Sequence, residues 1–168
     1  MERDARKERH LDPRWDELYR ELRPTLYRTA ALIAGDGDAE ECVQDAFERA
    51  MRETRFFDHV RDAGAWLRTA VSRRAISRVR RRQLWARIVP RLHEPPGAYD
   101  ESVVDVRRAL DALPPQQRAA VVLRYYADAD YDEIARALDV ESSSVGPILT
   151  RARNKLREAL RWRTTTAS

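Results

Sequence analysis

Glycine is scarce in this chain, five residues in 168, and no alternating apolar–polar run lies between turn signals, so a β-sheet architecture has little to build on. Cysteine is scarcer still. Cys42 stands alone, which excludes an internal disulfide, and it is expected as a small buried residue rather than a redox sensor. No stretch approaches the ~18 consecutive apolar residues of a membrane span. The charged run Met1 to His10 has no apolar segment behind it, as a secretory signal would, and the expectation is a cytoplasmic protein. His10, His59 and His93 are too far apart for metal spacing, so no metal site is expected. No phosphate loop and no nucleophile–base pair is found, so neither an enzyme nor a cofactor is expected.

What is abundant is charge, at 36% of residues against 43% hydrophobic. Of 32 basic residues only Lys7 and Lys155 are lysine, a bias that a GC-rich genome could produce alone, so position is more telling. From Trp66 to Arg91 there are nine arginines and no acid, and from Gly35 to Glu48 six acids and no base. From Arg151 to Arg163 six basic residues accompany one acid, Glu158. Two basic blocks suggest two contacts with a polyanion, and the acidic block a separate face for another partner.

The apolar periodicity is helical throughout. Asp12-Pro13 reads as an N-cap with proline at the first helical position, opening a helix with Trp15, Leu18, Tyr19, Leu22, Leu26, Ala30 and Ile33 on one stripe. Pro24 predicts a kink or break in it, and Gly35-Asp36-Gly37 its end. Asp38 with Glu41 resembles a capping box for a second helix, on which Val43, Phe47, Ala50 and Met51 share a stripe. Asp62 caps a third, carrying Leu67, Val71, Ala75 and Val79. Pro90, Pro95, Pro96 and Gly97 predict a linker over 83–101. Helical pattern returns at Ser102 and is broken at Leu113-Pro114-Pro115. The expected fold is all-α: two small helical domains, 12–82 and 102–163, joined by that linker.

The sharpest local motif lies between Asp130 and Arg153. Asp130 with Glu133 forms a second capping box, and Ala135 is the small residue that a helix-turn-helix needs where its helices cross. Ile134, Leu138, Val140, Val145 and Ile148 fall on core-facing spacings, and Asp139 occupies the turn position that needs positive φ. The second helix is predicted to begin near Ser143 or Ser144, capped by serine, with Pro147 in its first turn. Ser144, Gly146, Pro147 and Thr150 would lie nearest a DNA groove, with Arg151 and Arg153 able to contact phosphates or bases. Those four offer few base-reading groups, so shape and close backbone approach would carry much of any specificity.

With these pieces in order, the chain resembles the extracytoplasmic-function (ECF) sigma factors over about residues 14 to 161. Asp38 to Phe47 looks like the family's acidic helix that docks on the polymerase clamp. Ala65-Trp66-Leu67 and the arginine-rich helix look like the segment that melts and reads the −10 element. Leu113 to Tyr126 looks like the helix preceding the −35 reader, and Glu133-Ile134-Ala135 with Arg151-Ala152-Arg153 completes that motif. The resemblance implies core RNA polymerase, promoter DNA and an anti-sigma factor as partners, with no membrane insertion. It implies polymerase contact through Gln44 and Asp45, which lie off the Val43–Phe47 stripe, with Glu41 and Glu48 beside them. It implies −10 contact through Arg73, Arg74, Ser77, Arg78, Arg80 and Arg81, and −35 contact through Arg124, Ser144, Gly146, Pro147, Thr150, Arg151 and Arg153. Trp66 is expected to pack rather than to stack on a base. The chain departs from the family's usual residues at Arg73, Ser77 and Ser144 to Ile148, all promoter-reading positions. A stand-alone helix-turn-helix regulator, and a sigma-like chain that titrates a partner, are the competing functions.

Overall fold

The computed structural model describes residues 12–88 and 101–166, the side chains of 87–88, 101–105 and 160–166 excepted. The N-terminal charged run, the linker prolines, Arg91, His10 and His93 lie outside the described residues. Eight helices are found among those described, and no strand. They are α1 (Pro13–Ala34), α2 (Asp36–Arg52), the short α3 (Phe56–His59), α4 (Ala63–Ile88), α5 (Glu101–Asp111), α6 (Pro115–Tyr125), α7 (Tyr131–Leu138) and α8 (Ser142–Thr166). The expected linker overlaps two of them: α4 continues through Gln83 to Ile88, and Glu101 already belongs to α5.

Asp12 caps α1 as expected, its carboxylate accepting from the Arg14 amide at 3.0 Å, with proline at the first position. The helix runs on through Pro24 without breaking. A single residue, Gly35, separates α1 from α2. Its φ of +102° is open only to glycine at low cost, and its amide reaches back to the Ala31 carbonyl at 2.9 Å. The second capping signal fails: α2 starts at Asp36, its cap position is Gly35, and Asp38 and Glu41 turn instead to arginines of α4.

Helices α1, α2 and α4 enclose one layer of core, with Leu26, Ile33, Val43, Leu67 and Val71 wholly buried. An aromatic cluster closes its lower end. Trp15 lies 5.0 Å from Phe56 and 4.5 Å from Phe57, and Trp66 meets Phe56 edge-on at 5.2 Å. The second layer, α6 to α8, buries Leu123, Ile134, Val145 and Ala152. These two layers are not separate beads. One hydrophobic cluster runs through both.

Arginines set on the end of α1 add to that join, Arg118 and Arg107 reaching it from the C-terminal half and Arg82 from within the N-terminal half. The last turn of α1 contains no basic residue of its own, and its carbonyls carry the negative end of the helix dipole. Arg118 of α6 donates to the Ile33 carbonyl at 2.9 Å, Arg107 of α5 donates to that of Ala31, and Arg82 of α4 to that of Ala34 at 2.6 Å. Arg118 is 4% exposed and also reaches the carbonyl of Asp111 at 3.0 Å. Burial pulls its guanidinium below the ordinary arginine value, while the Asp111 carboxylate at 3.0 Å opposes that shift.

Removing Arg118 strands buried carbonyls, so Arg118→Ala is expected to cost about 2–4 kcal/mol in urea unfolding, with Arg118→Lys restoring less than half. Cys42 is wholly buried, and burial, with Asp38 adding to it, pushes its thiol up to about 11. Its folded value lies above the unfolded 9.0, so its contribution to stability is complete below pH 9.0 and is lost as pH rises toward 11. A thiol reagent at pH 8 is accordingly expected to leave the native chain unlabelled and to modify one thiol only after unfolding.

Candidate nucleic-acid interface

The basic stripe of α4 and the acidic stripe of α2 meet along their length. Arg74 lies 2.5 Å from Asp45 and 3.8 Å from Glu41, Arg78 pairs with Glu41 and stands 3.6 Å from Asp38, and Arg82 holds Asp38 at 2.8 Å. The spacing explains the match. Asp38, Glu41 and Asp45 recur every three or four residues on one helix, Arg74, Arg78 and Arg82 every four on the other, so each set lines one face. The expectation that the acidic block faces a separate partner is thereby corrected for these three, and also for Glu40, which pairs with Arg23 of α1 at 2.7 Å. Gln44 and Glu48 do point outward, Glu48 accepting from Arg52 one turn on at 2.9 Å.

Two further arginines of α4 face the helix-turn-helix. Arg68 grips the Glu133 carboxylate with two bonds, 2.6 and 3.1 Å, in a pair that leaves Glu133 only 6% exposed. That carboxylate raises the Arg68 guanidinium above its ordinary value. Arg73 places two nitrogens on the Arg136 carbonyl, at 3.0 and 2.6 Å, at the C-terminal end of α7. Of the α4 residues expected to meet DNA, Arg73 stays exposed despite those bonds, as do Ser77, Arg80 and Arg81, and neither Arg80 nor Arg81 has an ion pair among the described residues. Nothing in the sequence signals the role of Arg68, since its partner lies 65 residues away.

The helix-turn-helix itself is formed as its spacing predicts. Asp130 caps α7, accepting from the Glu133 amide at 2.7 Å. The box is only half made, because the Glu133 side chain goes to Arg68 instead of back to the cap. Asp139 ends the helix in the left-handed region, φ 57° and ψ 52°, and the Val140 amide returns to the Ala135 carbonyl at 3.0 Å, completing a Schellman turn. Ile134, Leu138, Val145 and Ile148 are buried between α7 and α8, and Ala135 sits at 6% exposure among them.

The start of α8 differs from expectation. It begins at Ser142, preceded by Glu141, and the Ser142 hydroxyl is spent on Asp132 at 2.7 Å rather than on a cap. Pro147 is therefore the sixth helical residue, beyond the amides that are free at any helix start, and the Ser143 carbonyl loses its intrahelical donor. Pro147, Thr150, Arg151 and Arg153 are exposed, and Ser144 and Gly146 half-buried. The Thr150 hydroxyl bonds the Gly146 carbonyl at 3.0 Å. Arg124 is held away from this surface, donating to the Ala129 carbonyl at 3.1 Å and lying 5.9 Å from the Tyr131 ring centre.

Two family models fall on this geometry. The one described as Sigma-70 region 2 matches residues 18–84, and the one described as Sigma-70, region 4 matches residues 104–156. An ECF RNA polymerase sigma factor of Mycobacterium tuberculosis, SigM, is 32% identical over 87% of this chain and 76% of its own length. This chain belongs to the ECF sigma factor family. SigE of Mycolicibacterium smegmatis is also 32% identical over 94% of the chain, which covers 65% of that longer protein. Among solved structures, the sigma factor RpoE of Bartonella quintana in complex with the anti-sigma factor NepR has a TM-score of 0.72 at 22% identity, covering 89% of this chain and 98% of that one. CnrH in complex with the cytosolic domain of CnrY has a TM-score of 0.67 at 23% identity, over 93% and 94%. At those identities the likeness is one of fold. No described helix of the sigma factor is long and apolar enough to cross a membrane, and no described group of acids, histidines and cysteine could hold a metal ion.

The Arg68–Glu133 bridge gives a clear test of how the two halves are held. Glu133→Gln keeps the shape but removes the charge, leaving Arg68 without its counter-ion. It is expected to enlarge the radius of gyration in small-angle scattering and to split a single melting transition into two. A wild-type-like scattering profile would show that the apolar contacts suffice.

Proposed function

We propose that this ECF sigma factor binds core RNA polymerase, directs it to promoters and opens the duplex at the start site, leaving all bond-making chemistry to the polymerase. The observation that carries this reading is the order of its parts on one chain: a region 2 match that contains the arginine-rich α4 and a region 4 match that contains the helix-turn-helix. The working division is an N-terminal domain over 12–82, a linker over 83–101 and a C-terminal domain over 102–163. Cytoplasmic localisation and an anti-sigma partner belong to the same reading, the latter because a structural neighbour, RpoE, was solved in complex with the anti-sigma factor NepR.

Within it, Gln44 and Glu48 are the outward groups of α2 suited to the polymerase clamp, with Glu41 and Asp45 held behind them by Arg74 and Arg78. Arg80, Arg81 and Ser77 face the −10 element directly. Arg73, Arg74 and Arg78 are engaged within the chain, and Arg73 must leave the Arg136 carbonyl before it can touch a promoter. At the −35 element, Arg151 and Arg153 meet phosphates or base edges beside the small surface of Gly146, Pro147 and Thr150, Ser144 contributes from the margin, and Arg124 must leave the Ala129 carbonyl to join them.

Binding of the full chain to core polymerase tests this. Submicromolar affinity is expected, weakened about tenfold by Gln44→Ala combined with Glu48→Ala at unchanged melting temperature, the loss expected for about 1.4 kcal/mol of contact. A chain that binds duplex DNA but never core would instead be a stand-alone helix-turn-helix regulator.

A further inference from the structure

Gly146 and Pro147 stand side by side as the fifth and sixth residues of α8, and both weaken a helix. Packing inside the fold asks for neither. The Gly146 backbone is not left-handed, and a Cβ added there would meet only Cε2 of Tyr131, at an ordinary contact distance of 3.9 Å. Pro147 is exposed, away from the face on which Val145, Ile148, Leu149 and Ala152 are buried. Two adjacent residues that break the local rule for a helix, with no packing reason, mark a surface shaped for a partner.

That surface is short of groups that tell bases apart. The Thr150 hydroxyl donates to the Gly146 carbonyl at 3.0 Å, and that of Ser142 is held by Asp132 at 2.7 Å. The hydroxyls of Ser143 and Ser144 can donate or accept, so they discriminate poorly between base edges. What remains distinctive is apolar: the Pro147 ring, with the Thr150 methyl one turn on, beside the bare backbone of Gly146. In the major groove the matching feature is the C5 methyl of thymine. A guanine edge set against the proline ring would lose water from its acceptors and gain no donor in return. Arg151 and Arg153, both exposed and further along the helix, supply charge for flanking phosphates.

We propose that Pro147 and Thr150 select thymine at the −35 element, their apolar atoms seated on the C5 methyls of neighbouring thymines, with Gly146 left bare so that the helix approaches closely. Residues three apart on a helix stand about 5–6 Å from each other, within reach of successive base pairs. The assignment rests on the promoter-recognition reading above and names the base class that it left open. Helix stability is given up at Gly146 and Pro147 for contact with a methyl group.

The test uses the full chain, both alone and assembled with core polymerase. Duplexes randomised over about 10 base pairs, one helical turn, are selected for binding from two libraries. One contains thymine and the other uracil, which lacks only the methyl. Adjacent thymines are expected in the site selected from the first library, and no matching uracil site from the second. In the selected duplex, each thymine replaced by uracil is expected to weaken binding about fourfold, as the loss of one buried methyl does. That penalty should fall below about 1.5-fold when Pro147→Ser and Thr150→Ser are combined. Gly146→Ala and Pro147→Ser should each raise the melting temperature while weakening the thymine duplex several-fold, whereas residues with a structural role alone would lower both. Equal affinity for thymine and uracil duplexes overturns the proposal. So does a methyl penalty that survives in the double variant, or a selected site without thymine that Arg151 reads through guanine.

Promoter-directed initiation with core polymerase is measured beside these. Initiation that is unchanged by uracil in the −35 element removes the thymine contact and keeps the sigma reading. Methyl-dependent duplex binding by a chain that never engages core does the reverse. A chain that selects no duplex, alone or with core, overturns both.

Discussion

Guanidinium groups set on the carboxyl ends of helices are the contact on which the arrangement of this molecule depends. Four unpaired carbonyls close every α-helix, and here the last turn of α1 supplies no cation to meet them. Arg82, Arg107 and Arg118, from three different helices, converge on that one turn, and Arg73 does the same for α7. A lysine could place one charge there. An arginine places a planar fork of donors, which is how Arg118 bonds carbonyls on both α1 and the end of α5 at once. Together with the Gly35 amide on the Ala31 carbonyl, these arginines satisfy a buried helix end, and Arg107 and Arg118 tie that end to the C-terminal half.

The same economy of charge decides which surfaces are left for partners. Exposed pairs such as Arg52–Glu48, at 71% and 61% side-chain exposure, contribute little, on the order of 0–1 kcal/mol. The Arg68–Glu133 pair, largely withdrawn from water, does more to fix the geometry between halves than to stabilise either one. Between these extremes lies the α2–α4 ladder. It takes three of the six acids of the block and three arginines of α4, leaving Gln44 and Glu48 on one side and Ser77, Arg80 and Arg81 on the other. Function at either surface begins from what internal pairing has not taken.

Much of the fold was legible because its signals are local. Asp12 and Asp130 cap amides two and three residues on with their carboxylates, Gly35 and Asp139 act through their own backbone, and each stands where its chemistry placed it. The buried stripe through Ile134, Leu138, Val145 and Ile148 follows from periodicity alone. The misreadings share a cause. Asp38 with Glu41, and the glutamate of the second capping box, had the right spacing for helix caps, yet distant arginines competed for them and won. Pro147 moved from the first turn to the second because the helix begins at Ser142, earlier than the expected Ser143 or Ser144.

The sequence by itself determined an all-helical chain in two parts, the turn of the helix-turn-helix, and the family, since all of these rest on residue type and short spacing. Only the tertiary structure decided which charges are free. Pairing between Arg68 and Glu133, or between Arg118 and the Ile33 carbonyl, joins positions 65 and 85 residues apart, and no periodicity reaches that far. An exposed arginine and a paired one read alike in a sequence; they differ only in what the fold brings within 3 Å.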